Sequence, residues 1–150
     1  MLKLIFIFVI VLSSAGIGNV IVGEWRDRAE ALARLQSAIK TMKGALVYQG
    51  MPLGEAMMQA AKTAYGSFFA RCARLLRQNP AAQGKEICQK ALAEEKGSCP
   101  FFRGPEKEAL ADLFLRISTA VSGEQIEDAC AVFIRQTDLI VKDLRAQQEQ

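Results

Sequence analysis

The residues of this chain with the greatest capacity for chemistry are its cysteines. Four are present, at positions 72, 88, 99 and 130, and histidine is absent. A zinc site normally needs closely spaced Cys or His ligands, and a cysteine or serine nucleophile is normally activated by a histidine. We therefore predict no metal site and no catalytic residue. Cys72 and Cys130 fall on apolar helical stripes, which favours a packing role in a reducing compartment. If the chain is exported, two disulfides become possible instead.

Charged side chains show no catalytic pattern either. The adjacent carboxylates Glu94–Glu95 and Glu127–Asp128 are typical of a solvated helix face, and the familiar glycine-rich phosphate loops are missing. An enzyme that acts through Lys or Glu stays a minor alternative. A net charge of +3 is too small to favour a nucleic-acid partner. We predict no cofactor, no nucleic acid and no small-molecule substrate.

A basic stripe is the one charge pattern with a possible partner. Arg71, Arg74 and Arg77 repeat at every third residue, which places them on a drifting stripe of one helix. We interpret the stripe as ordinary solubility, with anionic lipid headgroups or an acidic partner as the alternative.

The elements that carry these residues follow an uncharged apolar stretch from Leu4 to Val22. As a helix it is roughly 28 Å long at about 1.5 Å per residue, close to the hydrocarbon thickness of a bilayer. We predict a membrane anchor over residues 1–23. Its apolar members are Leu4, Ile5, Phe6, Ile7, Phe8, Val9, Ile10, Val11, Leu12, Ile17, Val20, Ile21 and Val22. A cleaved secretory signal is the rival interpretation, because Lys3, an apolar run and Ser13-Ser14-Ala15 have that layout.

The basic residues on either side of this stretch predict its orientation. Lys3 alone precedes it, whereas five basic residues follow it closely: Arg26, Arg28, Arg34, Lys40 and Lys43. Lys and Arg near a span are retained on the cytoplasmic side. We expect a single-pass protein of the cell membrane whose body, residues 24–150, is cytoplasmic.

The body is helix-patterned throughout. It is rich in Ala, Leu, Glu, Gln, Lys and Arg, which are helix formers. The fold class that we predict is all-α, with an N-terminal transmembrane helix followed by a compact bundle of about six helices. Apolar spacing and the Gly and Pro positions predict helices over residues 24–48, 52–64, 67–78 and 85–95, a fifth that opens at Pro105, and a sixth from Ser122 nearly to the C-terminus.

The first and sixth helices are the long ones, and each carries an apolar seam. The seams are Leu32, Leu35, Ile39, Met42 and Leu46 in one and Ile126, Cys130, Phe133, Thr137, Ile140 and Leu144 in the other. We expect the two helices to lie side by side, with the shorter ones packed across them. Gly50 and Pro52 predict a hairpin between the first two helices, and Ser122 with Gln125 makes a capping-box pattern.

The order of residues around that hairpin has a known counterpart. Leu32-x-x-Leu35-x-x-Ala38-Ile39-x-x-Met42 is followed by Val47-Tyr48 and then by Met51-Pro52-Leu53-Gly54-Glu55-Ala56-Met57. Together with the start Met1-Leu2-Lys3-Leu4, this order resembles the stage III sporulation protein AB family. The resemblance is strong over roughly residues 1–60 and general beyond; order and spacing carry it, since no single motif is specific.

The resemblance implies a component of the membrane-embedded machine that links mother cell and forespore during endospore formation. Its body would look like the cytoplasmic domains of type II secretion and type IV pilus platform proteins and would face the mother-cell cytoplasm. The implied partners are other sporulation channel proteins, a secretion-type ATPase among them, and the membrane.

The chain departs from the family pattern at three places. Lys43 and Ala45 stand where the family usually carries acidic residues, so contacts made by those acids are not expected here. Ala120-Val121 replaces an expected Leu-Gly pair. The family's second apolar segment is not found before Gln150, so either the chain is truncated or it is anchored once.

We therefore expect a non-catalytic platform or adaptor protein that presents helix faces to partners. The candidate contact is the hairpin tip, with Met51, Pro52, Leu53 and Glu55 at its surface, or else the surface of the last helix. The alternative function is an exported helical binding protein whose signal peptide is cleaved near Gly16.

Overall fold

The computed structural model describes residues 26–94 and 102–149, and every regular element in those ranges is a helix. Helix α1 is described over residues 26–47. It is followed by α2 (Leu53–Thr63), α3 (Gly66–Gln78), α4 (Gly84–Glu94), α5 (Gly104–Thr119) and α6 (Gly123–Gln148). The all-α class and the six helices of the body are thus confirmed for the described part of the chain.

The predicted membrane anchor, Leu4 to Val22, lies outside the described residues. Among the helices of residues 26–94 and 102–149, none has the length and apolar character needed to cross a membrane. The anchor and the domain boundary after residue 23 therefore stay predictions.

The turn between α1 and α2 is formed by Gly50 and Pro52, as predicted. Gly50 adopts φ +63°, a conformation that favours glycine. The Met51 amide donates to the Ala45 carbonyl across the turn at 3.0 Å, and Pro52 precedes the first residue of α2. The chain therefore reverses and lays α2 back on the bundle.

The break between α2 and α3 falls one residue earlier than predicted. The predicted helices end at residue 64 and begin again at residue 67, but Gly66 is already the first residue of α3, and Tyr65 takes the left-handed conformation at φ 53°. The Tyr65 hydroxyl donates to the Ala31 carbonyl at 2.9 Å, and its ring lies 5.1 Å from that of Phe102. These distant contacts hold Tyr65 at the corner, which local spacing could not reveal.

The long helices lie side by side, as predicted, and they run antiparallel. The Gln36 amide of α1 donates to Thr137 Oγ1 at 2.7 Å, and the Tyr48 hydroxyl at the C-terminal end of α1 donates to Glu127 at 3.2 Å. Ser122 Oγ caps α6 by accepting from the Gln125 amide at 3.4 Å. The Gln125 side chain in turn accepts from the amide before the cap, that of Val121, at 2.9 Å.

The core is filled by the predicted seams and by aromatic rings from the shorter helices. Phe68 and Phe69 of α3 pack around Phe114 of α5, with ring centroids 6.2 and 6.5 Å from it. Phe102, before α5, is also buried. Burial of this many large side chains is the main stabilising contribution to the bundle.

Candidate functional site

The thiols are held in packing positions. Cys72, Cys88 and Cys130 are buried, whereas Cys99 lies outside the described residues. Burial raises the pKa of Cys130 to about 11, against a smaller lowering by Lys43. A neutral thiol is a poor nucleophile and a poor metal ligand. Within residues 26–94 and 102–149, no group of three or more Cys, Asp or Glu side chains could hold a metal ion.

Three of the four carboxylates noted in the sequence, Glu94, Glu127 and Asp128, are described, and they lie at or near the surface. Glu94 pairs with Arg71 across α3 and α4, with 2.8 Å between Nη1 and Oε2. Glu127 accepts from Tyr48, and Asp128 is exposed. Glu95 is outside the described residues. Among the three described carboxylates no shared site is formed, and one arginine of the basic stripe, Arg71, is bonded within the molecule.

A fully buried carboxylate escaped the sequence analysis. Glu106 Oε1 accepts from Arg28 Nε at 3.0 Å and from Nη2 of the same guanidinium. Glu106 Oε2 accepts from the Arg103 amide at 2.5 Å, which caps the start of α5. The sequence did contain a signal for the capping contact, because Glu106 lies in the first turn of the fifth helix, where such a side chain can cap the backbone. The pairing with Arg28 could not be predicted from the sequence, because 78 residues separate Arg28 from Glu106.

The four residues predicted to contact a partner are not equally accessible. Pro52 and Glu55 are exposed, but Met51 and Leu53 are half-buried and pack against the core. The tight reversal turns the apolar side chains on both sides of Pro52 inward, where they cover the end of the core. Met51 and Leu53 are therefore less exposed than expected, and the role of the four residues in a partner contact stays a prediction.

Three large apolar side chains at or near the tip are exposed instead. Tyr48 is 75% exposed, Met58 of α2 is 40% exposed, and Val121 before α6 is 88% exposed. The α5–α6 turn lies against the end of α1, since a Cβ at Gly123 would come within 3.6 Å of Val47. Sequence offered a partial signal for Tyr48, which lies off the apolar seam of α1.

We group the exposed residues at or near this end of the bundle as one candidate docking surface. We call it the tip surface, and its members are Tyr48, Pro52, Glu55, Met58 and Val121. A shallow cleft of about 200 Å³ adjoins it, lined by Met51, Gly54, Glu55, Met58, Gln59 and Arg77. Exposed apolar groups with charged residues beside them are typical of a protein–protein contact.

Comparison with known proteins gives one match. The family model described as stage III sporulation protein AB matches residues 3–150, nearly the whole sequence rather than its first part alone. No curated protein and no solved structure matches the chain.

Proposed function

Because the chain belongs to the stage III sporulation protein AB family, which implies a role in stage III of endospore formation, we propose that it works there as a membrane-anchored adaptor. In this proposal the protein catalyses no reaction. It holds partner proteins of the mother cell–forespore channel, which resembles a secretion complex, at a set distance from the membrane.

The observation that carries the proposal is the exposure of Tyr48 and Val121 at one end of the bundle. A residue before an N-cap often packs on the fourth residue of its helix, here Ile126. Val121 stays 88% exposed, so the fold makes little use of its side chain. Tyr48 is 75% exposed and its hydroxyl is oriented by Glu127. Tyrosine is among the residues that dominate binding energy at protein interfaces.

The length of α1 supports a spacing role. Residues 26–48 extend roughly 33 Å at about 1.5 Å per residue. With the anchor immediately before α1, the tip surface stands well beyond the lipid headgroups, within reach of a cytoplasmic partner. The resemblance to secretion platforms makes a secretion-type ATPase the partner that we propose first.

The test is recovery of that ATPase with the full-length protein from membranes of sporulating cells. We expect Tyr48→Lys and Val121→Lys each to reduce recovery about tenfold, a loss of about 1.4 kcal/mol that is ordinary for a central interface residue. Ala131→Lys, at an exposed position on α6 outside the tip surface, is the matched control. Unchanged recovery with both tip variants would rule out docking at this surface.

A further inference from the structure

A second accessible surface lies along the seam between α1 and α6, away from the tip surface. It is a groove of about 580 Å³, lined by Ala29, Ala33, Gln36, Arg135, Asp138, Leu139, Val141, Lys142 and Arg145. The α1 residues that line it are close to the start of the described chain, and the α6 residues are close to its end.

Part of the groove's lining is apolar. Leu139 is 61% exposed, although it belongs to a helix whose other large apolar side chains are mostly turned inward. Ala29 and Ala33, one helical turn apart on α1, also line the groove with small apolar side chains. An isolated exposed leucine needs no explanation, but one that lines a groove together with Ala29, Ala33 and Val141 forms an apolar patch typical of a docking surface.

The rim of the groove is positively charged. Arg135, Lys142 and Arg145 are exposed, and none of them forms an ion pair with another residue of the described ranges. Asp138 is the one carboxylate in the lining, and its Oδ1 already accepts from Gln36 Nε2 at 2.8 Å. The groove thus combines apolar lining residues with three cations and a single carboxylate, so that its lining is positively charged overall.

We propose that this groove binds an amphipathic helix of a partner protein, one whose apolar stripe is flanked by acidic residues. The lining on α6 extends from Arg135 to Arg145, about 15 Å or nearly three helical turns. Two helices that form a trough of this length fit a third helix laid along them. Acidic residues beside its apolar stripe would meet the cations of the rim, which favours this helix over neutral or basic ones.

A lipid surface fits the groove less well. The groove runs along α1, and α1 leads away from the membrane in the adaptor role on which this inference rests. The headgroup layer on each side of a bilayer is only about 5–7 Å thick. It could reach the cations nearest the chain ends, Lys142 and Arg145, but not Arg135 about 15 Å from Arg145.

The experiment is photo-crosslinking in membranes of sporulating cells, with a photoreactive amino acid in place of Leu139 of the full-length protein. The same amino acid in place of Lys90, exposed on α4, is the matched control. Mass spectrometry of the crosslinked peptides identifies the segment captured. We expect a helical segment with acidic residues three or four positions apart beside apolar ones, and no such product from position 90.

Charge variants test the role of the rim. Arg135→Glu combined with Arg145→Glu should lower the crosslink yield at position 139 at least tenfold. Arg145→Lys keeps the charge and should preserve the yield, which separates loss of charge from loss of folding. A crosslink yield that is unchanged by the charge reversal would overturn the proposal. Crosslinks only to lipid, or only to a second copy of this chain, would also overturn it.

A third crosslinking position separates this proposal from the adaptor role itself. A photoreactive residue in place of Val121 probes the tip surface in the same cells. Capture at position 121 without capture at position 139 overturns the groove proposal and leaves the adaptor role standing. Absence of protein crosslinks at both positions contradicts both.

Discussion

Cys130 lies on α6, facing α1, with no exposure to solvent. Removal from water disfavours the thiolate, and this effect outweighs the attraction of Lys43, so the pKa rises to about 11. At physiological pH the side chain therefore packs as a small apolar group. This agrees with the packing role that its place on the seam of α6 predicted.

This burial predicts a pH dependence of stability. The unfolded chain loses the Cys130 proton near the ordinary pKa of 9.0, and the folded protein keeps it to about pH 11. Between these values the folded state binds more protons, so the free energy of unfolding should fall as pH rises from 9 towards 11. Urea unfolding of the protein and of Cys130→Ala at pH 8, 9 and 10 isolates this contribution. A difference between the two proteins that does not change with pH would contradict it.

Two glycines should respond to alanine with opposite signs. Gly50 has φ +63° and Gly44 lies within α1, and a Cβ at either position would meet no atom within 4 Å. Gly50→Ala should therefore destabilise the protein by about 1 kcal/mol, because alanine rarely adopts that conformation. Gly44→Ala should stabilise it by about 0.5–1 kcal/mol through helix propensity.

Denaturant midpoints of the two variants in the same detergent measure both effects. Because an added Cβ meets no neighbouring atom at either glycine, differences in packing do not contribute to the difference between the two variants. Equal shifts of the two midpoints would mean that the conformation of Gly50 contributes nothing to the turn.

At the scale of elements, side-chain contacts join α1 to the rest of the bundle near both of its described ends. Near its C-terminus Tyr48 bonds to α6, and near its N-terminus Arg28 pairs with the buried Glu106 of α5. The second contact is the stronger candidate for stability, because the carboxylate is fully buried and also caps α5. It ties the predicted entry point from the membrane to the start of a different helix.

Replacing Glu106 should therefore cost far more than replacing a surface carboxylate. Glu106→Gln removes the charge that Arg28 pairs with and leaves only one acceptor oxygen, so we expect a loss of about 2 kcal/mol. Glu94→Gln, which breaks the exposed pair with Arg71, is the matched control and should change stability by less than about 0.5 kcal/mol.

The free energy of unfolding from urea titrations measures both losses. A double-mutant cycle with Arg28→Met attributes the coupling to this pair. If Glu106→Gln lowers the free energy of unfolding no more than Glu94→Gln does, the buried pair does not contribute significantly to stability.

At the scale of the whole molecule, the antiparallel pair of long helices separates two surfaces of different chemistry. The tip surface lies where α1 ends, and the groove lies near where the described part of α1 begins. A body of this shape could hold two partners at different distances from the membrane. That arrangement suits the adaptor role that we propose.

The predicted topology can be measured with a fluorescent protein fused after Gln150, of a kind that matures only in the cytoplasm. We expect fluorescence in the membrane fraction, because the basic residues that follow Val22 should keep the body on the cytoplasmic side. Deletion of residues 4–22 is the control, and it should move the fluorescence to the soluble fraction. A dark fusion would favour the exported binding protein instead.

The sequence by itself determined which segments are helical and where they end. Helices α2 to α4 were predicted to within a residue or so, and the glycine turn at Gly50 and the Ser122 cap were anticipated. These features depend on residues within one or two turns of each other, so local spacing contains them. The side-by-side pairing of the long helices was predicted from their apolar seams, whereas their antiparallel direction came from the structure. The order of residues around the hairpin pointed to the family.

Only the tertiary structure decided which side chains are available. It buried Glu106 against Arg28, turned Met51 and Leu53 inward, left Tyr48 and Val121 exposed, and opened the groove beside Leu139. Each outcome depends on how distant segments pack. The exposure of a side chain depends on which residues surround it in space. Helical periodicity predicts only which residues share a face of a helix, not which other elements pack against that face.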